Sequence, residues 1–160
     1  MISNPVDRRA ILLILGILGV ILFGIWPEWR VHLQGSGYYY GEPVQISLKP
    51  GSDLNKINLK SGGIIKVALM TTSFAEGDPV DFDALQVDPL SVVFGPNEAT
   101  ERHGRGHVED VDNDGDPDLV LHFRVRETGI QCADSLVILS GKTYEGEDIT
   151  GADSVTPTGC

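Results

Sequence analysis

The strongest constraint on the fold is a series of short, β-branched segments that begins at Val44. Gly, Pro, Asn or Asp closes each segment, and none of them has the length or periodicity of an amphipathic helix. "FDALQV" is at most one helical turn. The predicted strands lie in "VQISLKPG", "GIIKVALMTT", "LSVVFGP", "DLVLHFRVR" and "SLVILSG". This spacing is typical of an all-β, antiparallel β-sandwich, which we place at residues 44–160.

Apolar and polar residues alternate in "DLVLHFRVR", as they do in a strand with one face in the core and one in water. The predicted core face consists of Leu119, Leu121, Phe123 and Val125. The predicted solvent face consists of His122, Arg124 and Arg126.

A dense acidic run precedes this strand, with six carboxylates in the ten residues from Glu109 to Asp118. Its spacing, D-x-D-x-D-G-x-x-D, supplies carboxylates at alternate loop positions and a glycine for the tight turn. Such a loop can wrap Ca²⁺, which prefers six to eight oxygens. Without a cation, the crowded carboxylates would repel one another and their pKa values would rise. The predicted calcium ligands are Asp110, Asp112, Asp114, Asp116 and Asp118.

The acidic loop is not an EF-hand, because Leu121 occupies the position of the bidentate Glu and a strand follows instead of a helix. It looks like the strand-loop-strand calcium loops of integrin-type propeller repeats, although this chain has one copy. The alternative is a solvated acidic turn without an ion. Calcium binding of this kind does not imply catalysis, and we expect no enzymatic activity and no catalytic residues.

The segment "RHGRGH" offers a weaker metal signal, from His103 and His107 with Glu109 nearby. Helical spacing of the two histidines would suit zinc, but Gly104 and Gly106 disfavour a helix. We therefore interpret the segment as a loop that leads into the calcium turn.

The N-terminal part is strongly apolar. Residues 10–27 contain "AILLILGILGVILFGIW", which as a helix spans roughly 26 Å, close to the ~30 Å hydrocarbon core of a bilayer. Arg8 and Arg9 precede this run and the acidic part follows it, so the positive-inside rule places residues 1–9 in the cytoplasm. We predict a single transmembrane helix, a linker at 28–43, and a periplasmic or extracellular domain of a bacterial inner-membrane protein. A signal peptide cleaved near Gly35-Ser36-Gly37 is the competing interpretation.

Two cysteines, Cys132 and Cys160, lie in the part expected outside the cytoplasm. In an oxidising compartment such a pair is most simply a disulfide, and two separate buried thiols are the alternative. The net charge of −11 argues against a nucleic-acid partner, because phosphates need clustered Lys and Arg. The expected partners are membrane lipid and other protein subunits.

Several motifs together carry a resemblance that covers residues 44–160: the acidic loop, "LHFR", the "TGI" before Cys132, and the final Cys. This part resembles an uncharacterised β-sandwich module of secreted bacterial proteins. The resemblance implies a calcium-bearing, immunoglobulin-like sandwich with the disulfide, and no enzymatic activity. We expect an accessory subunit of a membrane complex, respiratory or photosynthetic in type. The alternative is a pilus-like fibre subunit, because related-looking modules assemble by exchange of an N-terminal strand.

Overall fold

The computed structural model describes residues 41–52 and 54–160. This part of the chain forms eleven strands: β1 (Glu42–Pro43), β2 (Ile46–Leu48), β3 (Lys56–Asn58), β4 (Ile64–Leu69), β5 (Val93–Phe94), β6 (Ala99–Thr100), β7 (His107–Glu109), β8 (Asp118–Arg124), β9 (Leu136–Lys142), β10 (Asp148–Ser154) and β11 (Thr156–Thr158). It also contains two 3-10 helices, Ala84–Gln86 and Val125–Glu127, and no α-helix. The prediction of an all-β fold is confirmed for these residues.

The predicted cytoplasmic N-terminus, the transmembrane helix at 10–27 and most of the linker lie outside the described residues. None of the helices within 41–52 and 54–160 is long and apolar enough to cross a membrane.

The strands form two main sheets and one small one. The order in the larger sheet is β1-β10-β9-β5-β6, and the order in the second is β2-β4-β8-β7. Most neighbours are antiparallel, and the longest ladders join β10 to β9 and β4 to β8. Two short pairs are parallel instead, β1 with β10 and β3 with β11.

One hydrophobic core joins the two main sheets, as in a sandwich. Phe94 from the five-stranded sheet lies against Phe123 from the four-stranded sheet, with 5.0 Å between their ring centroids. Both side chains are fully buried. The predicted inward face of β8 is confirmed, since all four of the residues assigned to it are buried in this core: Leu119, Leu121, Phe123 and Val125.

The opposite face of β8 is less exposed to solvent than the alternation predicted. Val120 is fully buried there, in a small cluster with Ala68 and Met70 of the neighbouring segment. Val111, from the acidic loop, packs against this cluster. The acidic loop therefore covers part of the outer face of the second sheet.

The predicted strand also ends sooner than its alternation suggests. β8 stops at Arg124, and the chain continues as the 3-10 helix Val125–Glu127. Arg126 is therefore not on the strand face where the sequence placed it. Val125 is still buried in the core, although it lies in the helix. The alternation therefore predicted its burial correctly but not its secondary structure.

The cysteines are joined as the simpler interpretation predicted. Cys132 and Cys160 form a disulfide with a Cα–Cα distance of 5.9 Å. The bond ties the segment after β11 to the loop between β8 and β9.

Candidate metal centres

The acidic loop joins β7 to β8, and the side chain of Asp118 fixes its end. Asp118 is 1% exposed, and its two carboxylate oxygens each accept a backbone N–H, from Thr71 and Val111, both at 2.9 Å. The Thr71 hydroxyl also donates to the carbonyl of Pro117 at 2.6 Å. One buried carboxylate thus holds the loop to the segment that follows β4.

Hydrogen bonds within the loop set its curvature. Asp110 accepts the backbone N–H of Asn113 at 2.8 Å, and Asp114 accepts that of Asp116 at 2.8 Å. Gly115 has a φ of 104°, a conformation that favours glycine. The turn is therefore built from the same aspartates that the sequence assigned to calcium.

The structure divides the five predicted ligands between two groups. Asp110, Asp112 and Asp118 each place a carboxylate oxygen within 4.8 Å of the others. Ca²⁺ takes oxygens at about 2.3–2.6 Å, so two ligands on opposite sides of the ion are roughly 5 Å apart. Asp118 is buried, whereas Asp110 and Asp112 are exposed, and the spacing of the three carboxylates is compatible with a hard cation that prefers oxygen ligands.

The other two aspartates form a second group with a residue that the sequence did not indicate. Oxygens of Asp114, Asp116 and Glu76 lie within 4.8 Å of one another. Glu76 comes from the loop after β4, far away in sequence, and no local spacing could have identified it. This loop and the acidic loop share a cleft, which is lined by Gln45, Met70, Thr71, Thr72, Glu76, Asp78, Asp112 and Asp114.

Two of these carboxyl groups have raised pKa values, Glu76 mainly through charge repulsion and Asp118 mainly through burial. Repulsion from Asp116 is the largest cause of a raised pKa at Glu76, followed by slight burial and further aspartates. Burial is the largest cause of a raised pKa at Asp118, against which its two backbone hydrogen bonds act. A cation in the loop would relieve the repulsion, because it favours the charged form of each group.

A separate cluster of three histidines lies on the outer face of the second sheet. His103 is in the loop before β7, His107 is in β7, and His122 is in β8. Their ring centroids are 4.8–5.7 Å apart, and every pair of rings is close to perpendicular. One ring nitrogen from each lies within 4.8 Å of the other two.

The buried carboxylate of Glu101 fixes the backbone around this cluster. It accepts N–H groups from His103 and Arg105 in the loop, and from His122 in β8. Glu101 is only 7% exposed. The loop also passes close over the core, where a Cβ at Gly106 would lie 2.2 Å from a methyl carbon of Leu119. Glycine at 106 therefore serves packing, in addition to disfavouring a helix.

The sequence offered His103 and His107 only as a disfavoured zinc alternative to a loop, and it did not indicate the third member. His103 and His107 come together as the weak zinc signal suggested, but Glu109 forms an ion pair with Lys66 at 3.6 Å instead. The third member is His122, which the alternation of β8 placed on the outer face without indicating what faces it. Antiparallel pairing of β7 with β8, His107 opposite Val120, brings the histidines together.

His122 is the most restricted of the three. Its Nδ1 atom is buried and has no hydrogen-bond partner among the described residues. Burial is the largest cause of its lowered pKa, and His107, Lys66 and His103 lower it further, while Glu101 acts in the opposite direction. These causes favour the neutral imidazole, which is the form that binds metal ions.

No protein-family model matches this chain, and no curated protein matches it. The features of the described residues that bear on function are the two acidic groups and the histidine cluster.

Proposed function

We propose that this chain is a non-enzymatic, membrane-anchored protein whose calcium-stabilised, immunoglobulin-like sandwich acts by protein contact outside the cytoplasm. In this proposal it is an accessory subunit of a bacterial membrane complex, and residues 10–27 dock in the bilayer. The observation that carries the proposal is the acidic loop, anchored by buried Asp118 across the end of the second sheet.

The position of the loop supports a structural role for calcium. An ion held by Asp110, Asp112 and Asp118 would join the start of β8 to the loop that follows β7, and Asp118 also accepts the backbone N–H of Thr71 after β4. Asp114 and Asp116 would supply further oxygens from the same loop. Extracellular calcium modules commonly bind with dissociation constants of about 10⁻⁴–10⁻³ M, which suits an ion that is always present and stabilises a fold.

The apolar N-terminal run supports the membrane part of the proposal. Its length approaches that of a bilayer core, and the paired arginines before it favour a cytoplasmic N-terminus. The disulfide fits an oxidising compartment on the other side. A domain that one helix holds at a membrane surface has a high effective concentration relative to other proteins of the same membrane. This concentration favours stable contact with neighbouring subunits.

The fibre alternative requires a strand that is free to leave its own domain. Val44, Ile46 and Leu48, which directly follow the linker, are buried in the core of this chain. β2 also pairs with β4 in the same sheet. These contacts favour the accessory-subunit proposal over exchange of this segment.

The test is intact mass spectrometry of the native protein, extracted gently from membranes with its co-purifying partners. The proposal predicts a mass that retains residues 1–37, together with other proteins in fixed stoichiometry. A mass that begins near Ser36 or Tyr38, in large homopolymers, would contradict the proposal and support the fibre.

A further inference from the structure

We propose that His103, His107 and His122 form a binding site for a divalent transition-metal ion such as Zn²⁺, separate from the calcium loop. Three imidazole nitrogens within 4.8 Å of one another are the donor set. Imidazole suits zinc, copper and nickel, whereas calcium prefers oxygen ligands. The two clusters therefore differ in the chemistry of the ion that each would select.

The distances fit a three-histidine site after a small adjustment. Zinc binds imidazole nitrogen at about 2.0–2.1 Å, so tetrahedral ligands lie roughly 3.3 Å apart. The nitrogens already lie within 4.8 Å of one another, and His103 is exposed, so metal binding requires the nitrogens to approach by about 1.5 Å at most, by side-chain rotation. The rings are nearly perpendicular to one another, and the nitrogens of the site come from three different rings on a loop and two strands.

The backbone that carries the histidines is already ordered for this arrangement. Glu101 bonds to the N–H groups of His103 and His122, and the Arg102 N–H donates to the carbonyl of His122 at 2.9 Å. The loop is thus tied to β8 beside the cluster. A site whose ligands are held before binding loses less entropy when the ion arrives.

The unpartnered nitrogen of His122 is the second observation that points to a ligand. A buried polar atom without a hydrogen-bond partner is costly, and native proteins usually satisfy such atoms. A metal-bound imidazole characteristically uses one nitrogen for the ion and gives the other N–H to a hydrogen-bond acceptor or water. An ion at the cluster would be bound by one nitrogen of His122, and the other nitrogen would then carry the N–H.

The three histidines leave one coordination position for another ligand. Zinc sites with three protein ligands and a water in the fourth position are open sites. His103 is exposed, so solvent or a side chain from a partner protein can reach the ion. The site is therefore suited to an exchangeable fourth ligand.

The neighbouring Lys66 opposes binding electrostatically. It pairs with His122 across β4 and β8, and its ammonium group lies 3.6 Å from a carboxylate oxygen of Glu109. Removal of this positive charge should tighten metal binding, because Lys66 lies opposite His122 in the sheet and like charges repel. Lys66→Gln thus provides a variant whose effect has the opposite sign to loss of a ligand.

The experiment is a calorimetric titration of the full-length, untagged chain with zinc in detergent. The visible spectrum of the chain with Co²⁺ in place of zinc reports the coordination geometry. Calcium at about ten times its expected dissociation constant of roughly 10⁻³ M or less limits binding of the probe ion to the acidic loop. We expect saturable binding of one zinc per chain and a cobalt spectrum typical of tetrahedral nitrogen coordination. His103→Gln and His107→Gln should each weaken binding by about tenfold or more, and Lys66→Gln should strengthen it.

Two control variants separate this site from other parts of the chain. Asp112→Asn in the acidic loop and His32→Gln in the predicted linker should leave the zinc affinity unchanged. His103 is exposed on a loop, so its variant keeps the fold, and unfolding curves check this for His107→Gln. Absence of stoichiometric zinc binding, or binding that survives both histidine substitutions, would overturn the proposal and leave only an edge-to-face aromatic cluster.

Discussion

Substitution of Asp118 by Asn tests how the acidic loop is attached to the sandwich. The aspartate is buried, and each of its oxygens accepts one backbone N–H at 2.9 Å, from Thr71 and from Val111. Asparagine keeps one acceptor but directs its own NH₂ group at the other backbone donor. One hydrogen bond is lost, and a buried N–H is left facing another donor.

The size of the effect follows from these contacts. A hydrogen bond to a charged group contributes about 1.5–3 kcal/mol, so Asp118→Asn should lower the free energy of unfolding by about that amount in chelator. Asp118→Ala loses both bonds and should cost about 3–5 kcal/mol. In calcium the parent gains a further ~2.7 kcal/mol at 100 times the dissociation constant. The variants should gain less, because they lack a ligand.

The assay is urea unfolding of the full chain in detergent, followed by far-ultraviolet circular dichroism in excess calcium and in EGTA. Asp81→Asn is the matched control, because Asp81 is exposed and should change stability little in either buffer. Equal stabilities of parent and Asp118→Asn in EGTA would refute the structural role of the two backbone bonds. An equal gain from calcium in both proteins would refute Asp118 as a ligand.

Three further predictions concern charge, the disulfide and packing. In EGTA, Glu76→Gln should become progressively more stable than the parent as pH rises from about 4 to 7. Repulsion, mainly from Asp116, raises the Glu76 pKa in the folded state, and a raised carboxyl pKa lowers stability once the group ionises. Unfolding curves at several pH values check this, and a stability difference that does not change with pH would contradict it. Reduction of the disulfide, whose sequence separation is 28, should lower the free energy of unfolding by about 3–4 kcal/mol on the loop-entropy model, measured by urea unfolding with and without reductant; an unchanged midpoint would contradict it. Gly151→Ala should lower the free energy of unfolding by about 1–3 kcal/mol, because the added Cβ would lie 2.6 Å from a methyl carbon of Ile46. The control is Gly62→Ala, whose Cβ would meet nothing closer than 3.8 Å. Equal thermal unfolding midpoints for the two variants would refute the packing argument.

The strands that the sequence revealed are those with a continuous apolar face. All five predicted segments contain strands of the structure, and the longest strands within these segments are β4, β8 and β9. The sequence pattern did not predict β10, because "DITGADS" has only one large apolar residue, Ile149, and contains a glycine. Its pairing with β9 over seven residues supplies backbone hydrogen bonds that no side-chain pattern reports.

The candidate sites show the same division between local and long-range information. Asp110, Asp112 and Asp118 were predictable, because the spacing of one loop brings their carboxylates together. Glu76 and His122 were not assigned to their clusters, because each meets its neighbours only through the folded topology. A histidine on the outer face of β8 was visible in the sequence, but the register that sets it beside β7 was not.

The most direct test of the account is equilibrium binding of calcium to the full-length, untagged chain, compared with Asp110→Asn and Asp112→Asn. The account predicts saturable binding with a dissociation constant of about 10⁻³ M or tighter, greatly weakened in both variants, with magnesium a poor competitor. Absence of saturable calcium binding to the parent chain, or binding that neither substitution weakens, would contradict it.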